Sequence, residues 1–174
     1  LEKLSTLQHR GQDSFGYSYT NKNKLNVKYS KDLLKNYKVD ETIQSTFFMG
    51  HTRYTTSGAK ETNLGQPIKD TFKFGEFLFV FNGNIPNYKS EINLEGTDTE
   101  FIRNFLIKNS YNFESIDELL IFFIRSIPRA YSLILYCNNI IYALKDRYGV
   151  RPLSYILSNT NLTISSEFSE DSKE

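Results

Sequence analysis

The order of helical and strand-like segments constrains the fold of this chain most strongly. Two helical segments lie together in the middle of the chain: the Thr97–Glu100 capping box predicts a helix to about residue 108, and a similar pattern predicts a second helix over residues 115–127. Strand-like segments occur in pairs joined by turns: 15–19 with 25–29, 72–81 as a strand pair or bulged strand, 131–137 with 140–145, and 153–157 with 162–166. This order predicts an α+β fold with antiparallel strands, and not a parallel βαβ sheet.

Composition excludes several classes of protein and favours one domain over residues 1–174. Of the 174 residues, 39% are hydrophobic and 15% are aromatic, which is enough apolar material for a packed core. The 21 Lys and Arg residues nearly balance the 20 Asp and Glu residues, and the resulting net charge of +1 argues against a nucleic-acid partner. No apolar run approaches the roughly 20 residues of a membrane-spanning helix, so we expect no membrane partner.

The residues that build metal and cofactor sites are scarce. The chain has 2 His and 1 Cys, so a zinc site would have to rely on carboxylate ligands. It contains neither a glycine-rich phosphate-binding loop nor a nucleophile elbow. We therefore expect no metal and no cofactor in this segment.

Polar clusters occur where predicted strands and helices begin or end. They are QHRGQDS at residues 8–14, HTRYTTSG at residues 51–58, and NGN at residues 82–84, with Asp98 at the start of the first predicted helix as a fourth candidate. Each has an ordinary structural explanation, because Asn-Gly pairs form turns and the helix dipole favours Asp at a helix N-terminus. None of the clusters establishes a function alone.

Taken together, four residues of these clusters fit an enzyme that cleaves the side-chain amide of a free amino acid. The planar guanidinium of Arg53 suits an α-carboxylate, and the carboxylate of Asp98 suits an α-ammonium. Amide cleavage also needs an oxyanion hole. The side-chain amide of Asn82 beside the backbone N–H of Gly83 is a compact way to build one.

Motifs over nearly the whole chain carry a resemblance to a known family and occur in the order of that family. They are LQHRGQD at residues 7–13, GHTRY at 50–54, Gln66-Pro67, FNGN at 81–84, TDTE at 97–100, AYSL at 130–133, Asp146 with GVRPL at 149–153, and SSE at 165–167. This set resembles the class II glutamine amidotransferase domain of the N-terminal-nucleophile hydrolases. His9, Gln12 and Arg151 are most similar to the amidophosphoribosyltransferase branch of the family.

The resemblance implies a four-layer αββα sandwich and a set of site residues. It implies that the whole enzyme hydrolyses glutamine in the cytoplasm and transfers the ammonia to phosphoribosyl pyrophosphate, giving phosphoribosylamine. Mg²⁺ would serve only the phosphoribosyltransferase domain, and homo-oligomeric assembly is left open. The implied site comprises Asn82 and Gly83 as the oxyanion hole, Arg53 for the α-carboxylate of glutamine, Asp98 for its α-ammonium, and Thr56 and Arg10 near the glutamine pocket.

Two features of the family are not found in these 174 residues. The family nucleophile is an N-terminal cysteine on a short first strand, whereas Cys137 lies at the end of a predicted strand and is expected to be structural. No phosphoribosyltransferase domain follows SSE. We therefore expect a partial domain that lacks its first strand and is inactive as a glutaminase in this form. Three alternatives stay open for the chain. It is a fragment of a longer enzyme, another class II amidotransferase such as glucosamine-6-phosphate synthase, or a degenerate glutamine-binding or regulatory module.

Overall fold

A computed structural model describes residues 2–22, 24–38, 40, 42–54, 65–85 and 97–167 of the chain. Helices are combined with antiparallel strand pairs, which confirms the predicted α+β class. The chain forms two compact units, Leu1–Lys69 with Leu78–Val80 and Asp70–Phe77 with Phe81–Glu174. Each unit is described by itself below.

The first unit is built on a three-stranded sheet with the strand order β2-β1-β3. Its elements are α1 (Glu2–Ser5), a 3-10 turn (Gln8–Arg10), β1 (Ser14–Asn21), β2 (Lys24–Ser30), a second 3-10 turn (Leu34–Asn36) and β3 (Phe48–Arg53). The predicted hairpin of residues 15–19 with 25–29 is confirmed, with Phe15 opposite Ser30 and Asn21 opposite Lys24. On the other side of β1, Ser14 lies opposite Arg53 and thereby sets the position of the last residue of β3.

The core of the first unit lies around β1. This strand is buried from Ser14 to Tyr19: its two edges are paired with β2 and β3, and Leu4 and Leu34 share a core cluster with its aromatic side chains. Aromatic rings provide most of the apolar volume, and aromatic side chains bury a large area for few rotatable bonds. The core cluster consists of Leu4, Phe15, Tyr17, Tyr19 and Leu34.

The other elements include a four-stranded sheet with the order β4-β5-β6-β7 and two helices. The predicted range 72–81 contains the turn at Lys73 and Phe74 and most of β5, whereas the paired strand β4 begins earlier than predicted, at Ile68. These elements are β4 (Ile68–Phe72), β5 (Gly75–Gly83), α2 (Asp98–Ser110), α3 (Ile116–Ser126), β6 (Tyr131–Cys137), β7 (Ile140–Lys145), β8 (Ser154–Leu157) and β9 (Leu162–Ser165).

Both helices begin where their capping residues predict. The Thr97 side chain accepts a hydrogen bond from the backbone N–H of Glu100, and the Glu100 carboxylate accepts from the Thr97 backbone N–H at 2.8 Å, which completes the capping box of α2. At α3 the Ser115 hydroxyl accepts from the N–H of Glu118, but the Glu118 carboxylate accepts from Glu114 instead. Each helix buries one apolar face, through residues such as Leu106 in α2 and Phe123 in α3.

The two later hairpins are also confirmed. β6 pairs with β7 from Ser132 opposite Lys145 to Cys137 opposite Ile140. β8 and β9 form a separate two-stranded sheet, with Ser154 opposite Ser165. Within the described ranges, no helix is both long enough and apolar enough to cross a membrane.

Candidate active site

The first group of candidate residues lies at the end of β3, where Arg53 is half-buried. Arg53 accepts a backbone hydrogen bond from the N–H of Asp13 at 3.0 Å. Gly11 lies directly against the same strand end. A Cβ at Gly11 would come 2.5 Å from the carbonyl carbon of Thr52 and 2.7 Å from that of Arg53. Only a glycine therefore allows the 8–14 segment to approach the backbone of Arg53 this closely.

Side chains reinforce this contact between the 8–14 segment and β3. The Thr52 hydroxyl donates to the carbonyl of Leu7 at 3.1 Å, and the Tyr54 hydroxyl donates to the carbonyl of His9 at 3.2 Å. The predicted clusters at residues 8–14 and 51–58 thus meet, through the part of the second cluster that the structure describes.

Gln8 connects this segment to a third part of the unit. Its side-chain amide donates to the carbonyl of Gly11 at 2.5 Å, and its side-chain oxygen accepts from the N–H of Leu34 at 2.7 Å. Sequence reasoning gave Gln8 and Gly11 no role, although both belong to the LQHRGQD string. Their contribution is to hold the turn that lies against Arg53.

Arg10, a predicted site residue, lies on this side of the site, as does Gly65, for which the sequence predicted no role. Arg10 is the last residue of the first 3-10 turn and is half-buried, next to Gly11. Gly65 lies near the Arg53 side chain, because a Cβ at this glycine would be 3.7 Å from Arg53 Cδ. Thr56 lies outside the described residues.

The second group of candidate residues begins at the end of β5. Asn82 and Gly83 are the last two residues of this strand, and both are half-buried. The Asn82 side chain makes no hydrogen bond within the described part of the chain, so its amide N–H groups are available to a ligand. Gly83 lies close to the start of β6: a Cβ there would be 2.7 Å from the Ala130 carbonyl oxygen and 2.7 Å from Tyr131 Cβ.

Asp98 is the first residue of α2 and is half-buried. One carboxylate oxygen accepts hydrogen bonds from its neighbour Thr99, from the backbone N–H at 2.9 Å and from the hydroxyl at 3.4 Å. The helix dipole stabilises a negative charge in the first turn. The structure therefore keeps a carboxylate oriented at this helix N-terminus, as the sequence predicts.

Cys137 has the properties of a structural thiol. It is fully buried at the end of β6, and its Sγ lies 4.0 Å from the carbonyl oxygen of Phe74. Burial raises the pKa of the Cys137 thiol to about 11, so very little thiolate is present near neutral pH. Among the described residues, no group of three or more His, Cys, Asp and Glu side chains could hold a metal ion.

Known proteins resemble this chain in sequence and in fold, although no protein-family model matches it. The amidophosphoribosyltransferase of Methanocaldococcus jannaschii is 31% identical over 184 residues, which cover 94% of this chain and 37% of that protein. The isomerizing glutamine–fructose-6-phosphate aminotransferase of Oceanobacillus iheyensis is 36% identical over 104 residues, covering 59% of this chain and 17% of that protein. Among solved structures, the glutamine phosphoribosylpyrophosphate amidotransferase of B. subtilis, in complex with ADP and GMP, has a TM-score of 0.76 at 21% identity and covers 94% of this chain and 37% of that chain.

The chain thus spans little more than a third of the length of the relative from M. jannaschii. The match to the B. subtilis structure shows that the chain has the fold of the corresponding part of that enzyme, which confirms the predicted fold class. The alignment with the M. jannaschii protein covers 94% of the chain. The comparisons confirm the resemblance of this chain to the glutamine amidotransferase domain of amidophosphoribosyltransferases.

Proposed function

We propose that the chain is the glutamine-hydrolysing, ammonia-supplying domain of an amidophosphoribosyltransferase, which catalyses the first step of de novo purine biosynthesis. The observation that carries this proposal is chemical: a half-buried Arg, a half-buried Asp and an Asn-Gly pair occur at element ends in a domain of this fold. The longer match, over 94% of the chain, is to an amidophosphoribosyltransferase, and the aminotransferase match covers 59%. This difference favours the amidophosphoribosyltransferase branch.

Two charged residues bind the substrate in this proposal. The Arg53 guanidinium donates paired hydrogen bonds to the α-carboxylate of glutamine, and the Asp98 carboxylate accepts from its α-ammonium. Both charges remain unchanged through the reaction, so these contacts fix the orientation of the substrate and select for a free amino acid. Arg10 and Thr56 are proposed neighbours of the same pocket.

Asn82 and Gly83 act on the amide that is cleaved. When a nucleophile attacks the side-chain carbonyl carbon, negative charge develops on the carbonyl oxygen. The Asn82 side-chain N–H and the Gly83 backbone N–H then donate to this oxygen. As the carbonyl re-forms, the C–N bond breaks, and the amide nitrogen takes the proton of the nucleophile and leaves as ammonia. Water then hydrolyses the acyl intermediate, which releases glutamate and the free nucleophile. Cys137 is unsuitable as the nucleophile, because it is buried and its thiol has a pKa of about 11. We therefore assign the nucleophile to the N-terminal cysteine of the family, outside these 174 residues.

In the whole enzyme, the ammonia displaces pyrophosphate from phosphoribosyl pyrophosphate and gives phosphoribosylamine. Glutamine and phosphoribosyl pyrophosphate are the proposed small-molecule partners, and the proposed location is the cytoplasm. We expect Mg²⁺ only in the phosphoribosyltransferase domain that uses the ammonia, and no cofactor in this chain.

Calorimetry with glutamine tests the binding half of the proposal. The 174-residue chain is suitable because its one cysteine, Cys137, is fully buried, so we expect glutamine to bind without being cleaved. We expect Arg53→Ala to weaken binding about 10- to 150-fold, because charge-assisted hydrogen bonds contribute about 1.5–3 kcal/mol. Arg125→Ala, in the exposed last turn of α3, is the matched control and should leave binding unchanged.

The product tests the rest of the proposal. The complete gene product, given glutamine and phosphoribosyl pyrophosphate, should release pyrophosphate and form phosphoribosylamine. Formation of glucosamine 6-phosphate from glutamine and fructose 6-phosphate would instead favour the other branch. Glutamine binding without either product would favour a regulatory module.

A further inference from the structure

Asp146 follows β7 directly and contacts the first residue of β6, Tyr131. The Asp146 backbone N–H donates to the Tyr131 carbonyl at 3.0 Å. The hydrogen bond in the opposite direction, from the Tyr131 N–H, goes to the Asp146 carboxylate at 3.2 Å and not to the Asp146 carbonyl. That carbonyl accepts instead from the N–H of Gly149 at 3.0 Å. In an antiparallel ladder, the two residues of a hydrogen-bonded pair exchange two backbone hydrogen bonds, and such pairs alternate with pairs that exchange none. Here a side-chain carboxylate replaces the carbonyl at the end of the ladder.

The loop after β7 holds the same carboxylate in place. Tyr148 donates its backbone N–H to one oxygen at 2.9 Å, and Val150 donates to the other at 3.0 Å. Asp146 is 6% exposed. Burial by itself raises the pKa of the Asp146 carboxyl, but these backbone hydrogen bonds outweigh it and lower the pKa below its ordinary value. The side chain is therefore an ionised group that only accepts hydrogen bonds.

The backbone that Asp146 holds is the backbone against which Gly83 lies. β5 and β6 are neighbours in the sheet. A Cβ at Gly83 would come 2.7 Å from the Ala130 oxygen and 2.7 Å from Tyr131 Cβ, so no space separates the end of β5 from the start of β6. Because packed backbone segments of this kind move together, a shift of Tyr131 also shifts the Gly83 peptide.

We propose that Asp146 is a positioning residue for glutamine hydrolysis, which holds the start of β6 so that the Gly83 N–H points at the developing oxyanion. The inference rests on the proposed function, in which Gly83 donates to that oxygen. Asp146 acts through Tyr131 and does not touch the substrate. Because the oxyanion exists only in the transition state, loss of this support lowers kcat and leaves glutamine binding intact.

Asp146→Asn in the complete gene product is the direct test. The amide group turns a donor toward backbone N–H groups that need an acceptor, so at least one of the bonds from Tyr131, Tyr148 and Val150 is lost. We expect kcat for glutamine hydrolysis to fall about 10- to 100-fold with KM within about twofold, because small displacements of an oxyanion donor are costly. Amide hydrogen exchange at Gly83 should become faster in the same variant.

Ser115→Ala is the control for a general loss of stability. It removes the hydroxyl that caps α3 and should leave kcat and Gly83 exchange unchanged. Unchanged Gly83 exchange in Asp146→Asn, or a fall in kcat that Ser115→Ala reproduces, would overturn the inference. A wild-type protein that does not hydrolyse glutamine would refute the proposed function instead, and Gly83 exchange would still decide whether Asp146 positions this strand end.

Discussion

The two groups of candidate residues are supported by different means. In the first unit, the backbone of Arg53 lies against Gly11, and hydrogen bonds from Gln8 and Thr52 hold the turn that carries this glycine. In the second unit, Gly83 lies against the start of β6, which the buried Asp146 carboxylate holds. One group is thus supported by neutral contacts and the other by an ionised side chain.

The difference corresponds to the proposed division of labour. Arg53 is proposed to bind the α-carboxylate of glutamine, whose charge stays constant during the reaction. A displacement of Arg53 therefore weakens binding of the ground state and of the transition state alike. Asn82 and Gly83 are proposed to donate to the oxyanion, which carries its negative charge only during the reaction. A displacement of either donor therefore lowers kcat without weakening glutamine binding. Variants at Arg53 should change affinity, as should variants at Asp98, and variants at Asn82 and Gly83 should change kcat.

Gly11→Ala should have the largest effect, on folding itself. The added Cβ would meet the backbone of Thr52 and Arg53 at 2.5 and 2.7 Å, and β3 cannot retreat because it is paired with β1. We expect a loss of about 3 kcal/mol or more in the free energy of unfolding, measured by urea titration. Gln12→Ala, at an exposed neighbouring position, should stay within about 0.5 kcal/mol of wild type. A small loss for Gly11→Ala would mean that the turn does not support Arg53.

Asn82→Ala should have the next largest effect, on catalysis. In the complete gene product, loss of one oxyanion donor should lower kcat about 10²- to 10³-fold, which corresponds to about 2.7–4 kcal/mol. Glutamine KM should remain within about twofold, because the contact forms in the transition state. Steady-state glutaminase kinetics provide the measurement, with Asn84→Ala, at an exposed position nearby, as the control. A rise in KM like that expected for Arg53→Ala would remove the proposed difference between the two groups.

Thr97→Ala should cost about 1 kcal/mol of stability, because it removes the capping box of α2. Ser115→Ala at α3 should cost a similar amount, since its hydroxyl also accepts from a first-turn N–H. Thermal unfolding measures both losses. Only Thr97→Ala should also weaken glutamine binding, because α2 carries Asp98 at its N-terminus. Equal affinity for glutamine in both variants would argue against a binding role for Asp98.

Local patterns predicted most of the elements, since their causes lie within a few residues. The Thr97 capping box and the hairpin around Asn138 and Asn139 depend on side chains and turns that the sequence shows directly. The same holds for the ends of β3 and β5, where polar residues follow apolar runs. These ends carry Arg53 and the Asn82-Gly83 pair, so the candidate residues could be found before the fold was known.

The contacts that support those residues could not be predicted in the same way. Gly11 and Arg53 are more than forty positions apart in the sequence. They come into contact because β3 pairs with β1, and the register of this pairing determines which residues lie against each other. The bond from Tyr131 to the Asp146 carboxylate likewise depends on where the β6–β7 ladder ends. Asp146 belongs to a motif that the sequence shows, but the backbone groups from which it accepts hydrogen bonds depend on the fold.

The smallest expected effect compares one buried tyrosine in each unit. Tyr131 is fully buried, its hydroxyl has no hydrogen-bond partner within the described residues, and burial raises its pKa to about 12. In the first unit, the Tyr17 hydroxyl lies 3.2 Å from the Tyr37 hydroxyl. Tyr131→Phe keeps the ring contacts with Phe81 and Phe123 and removes only an unsatisfied polar group.

We therefore expect opposite signs for the two substitutions. Tyr131→Phe should leave the free energy of unfolding unchanged or raise it by up to about 1 kcal/mol, because an unpaired buried hydroxyl is costly. Tyr17→Phe should lower it by about 0.5–1.5 kcal/mol, because it breaks a hydrogen bond and leaves Tyr37 without that partner. Urea unfolding of both variants decides between the signs. A loss above about 1 kcal/mol for Tyr131→Phe would show that its hydroxyl is paired after all. In that case the tyrosine, and not Asp146 alone, would help to hold the start of β6 against Gly83.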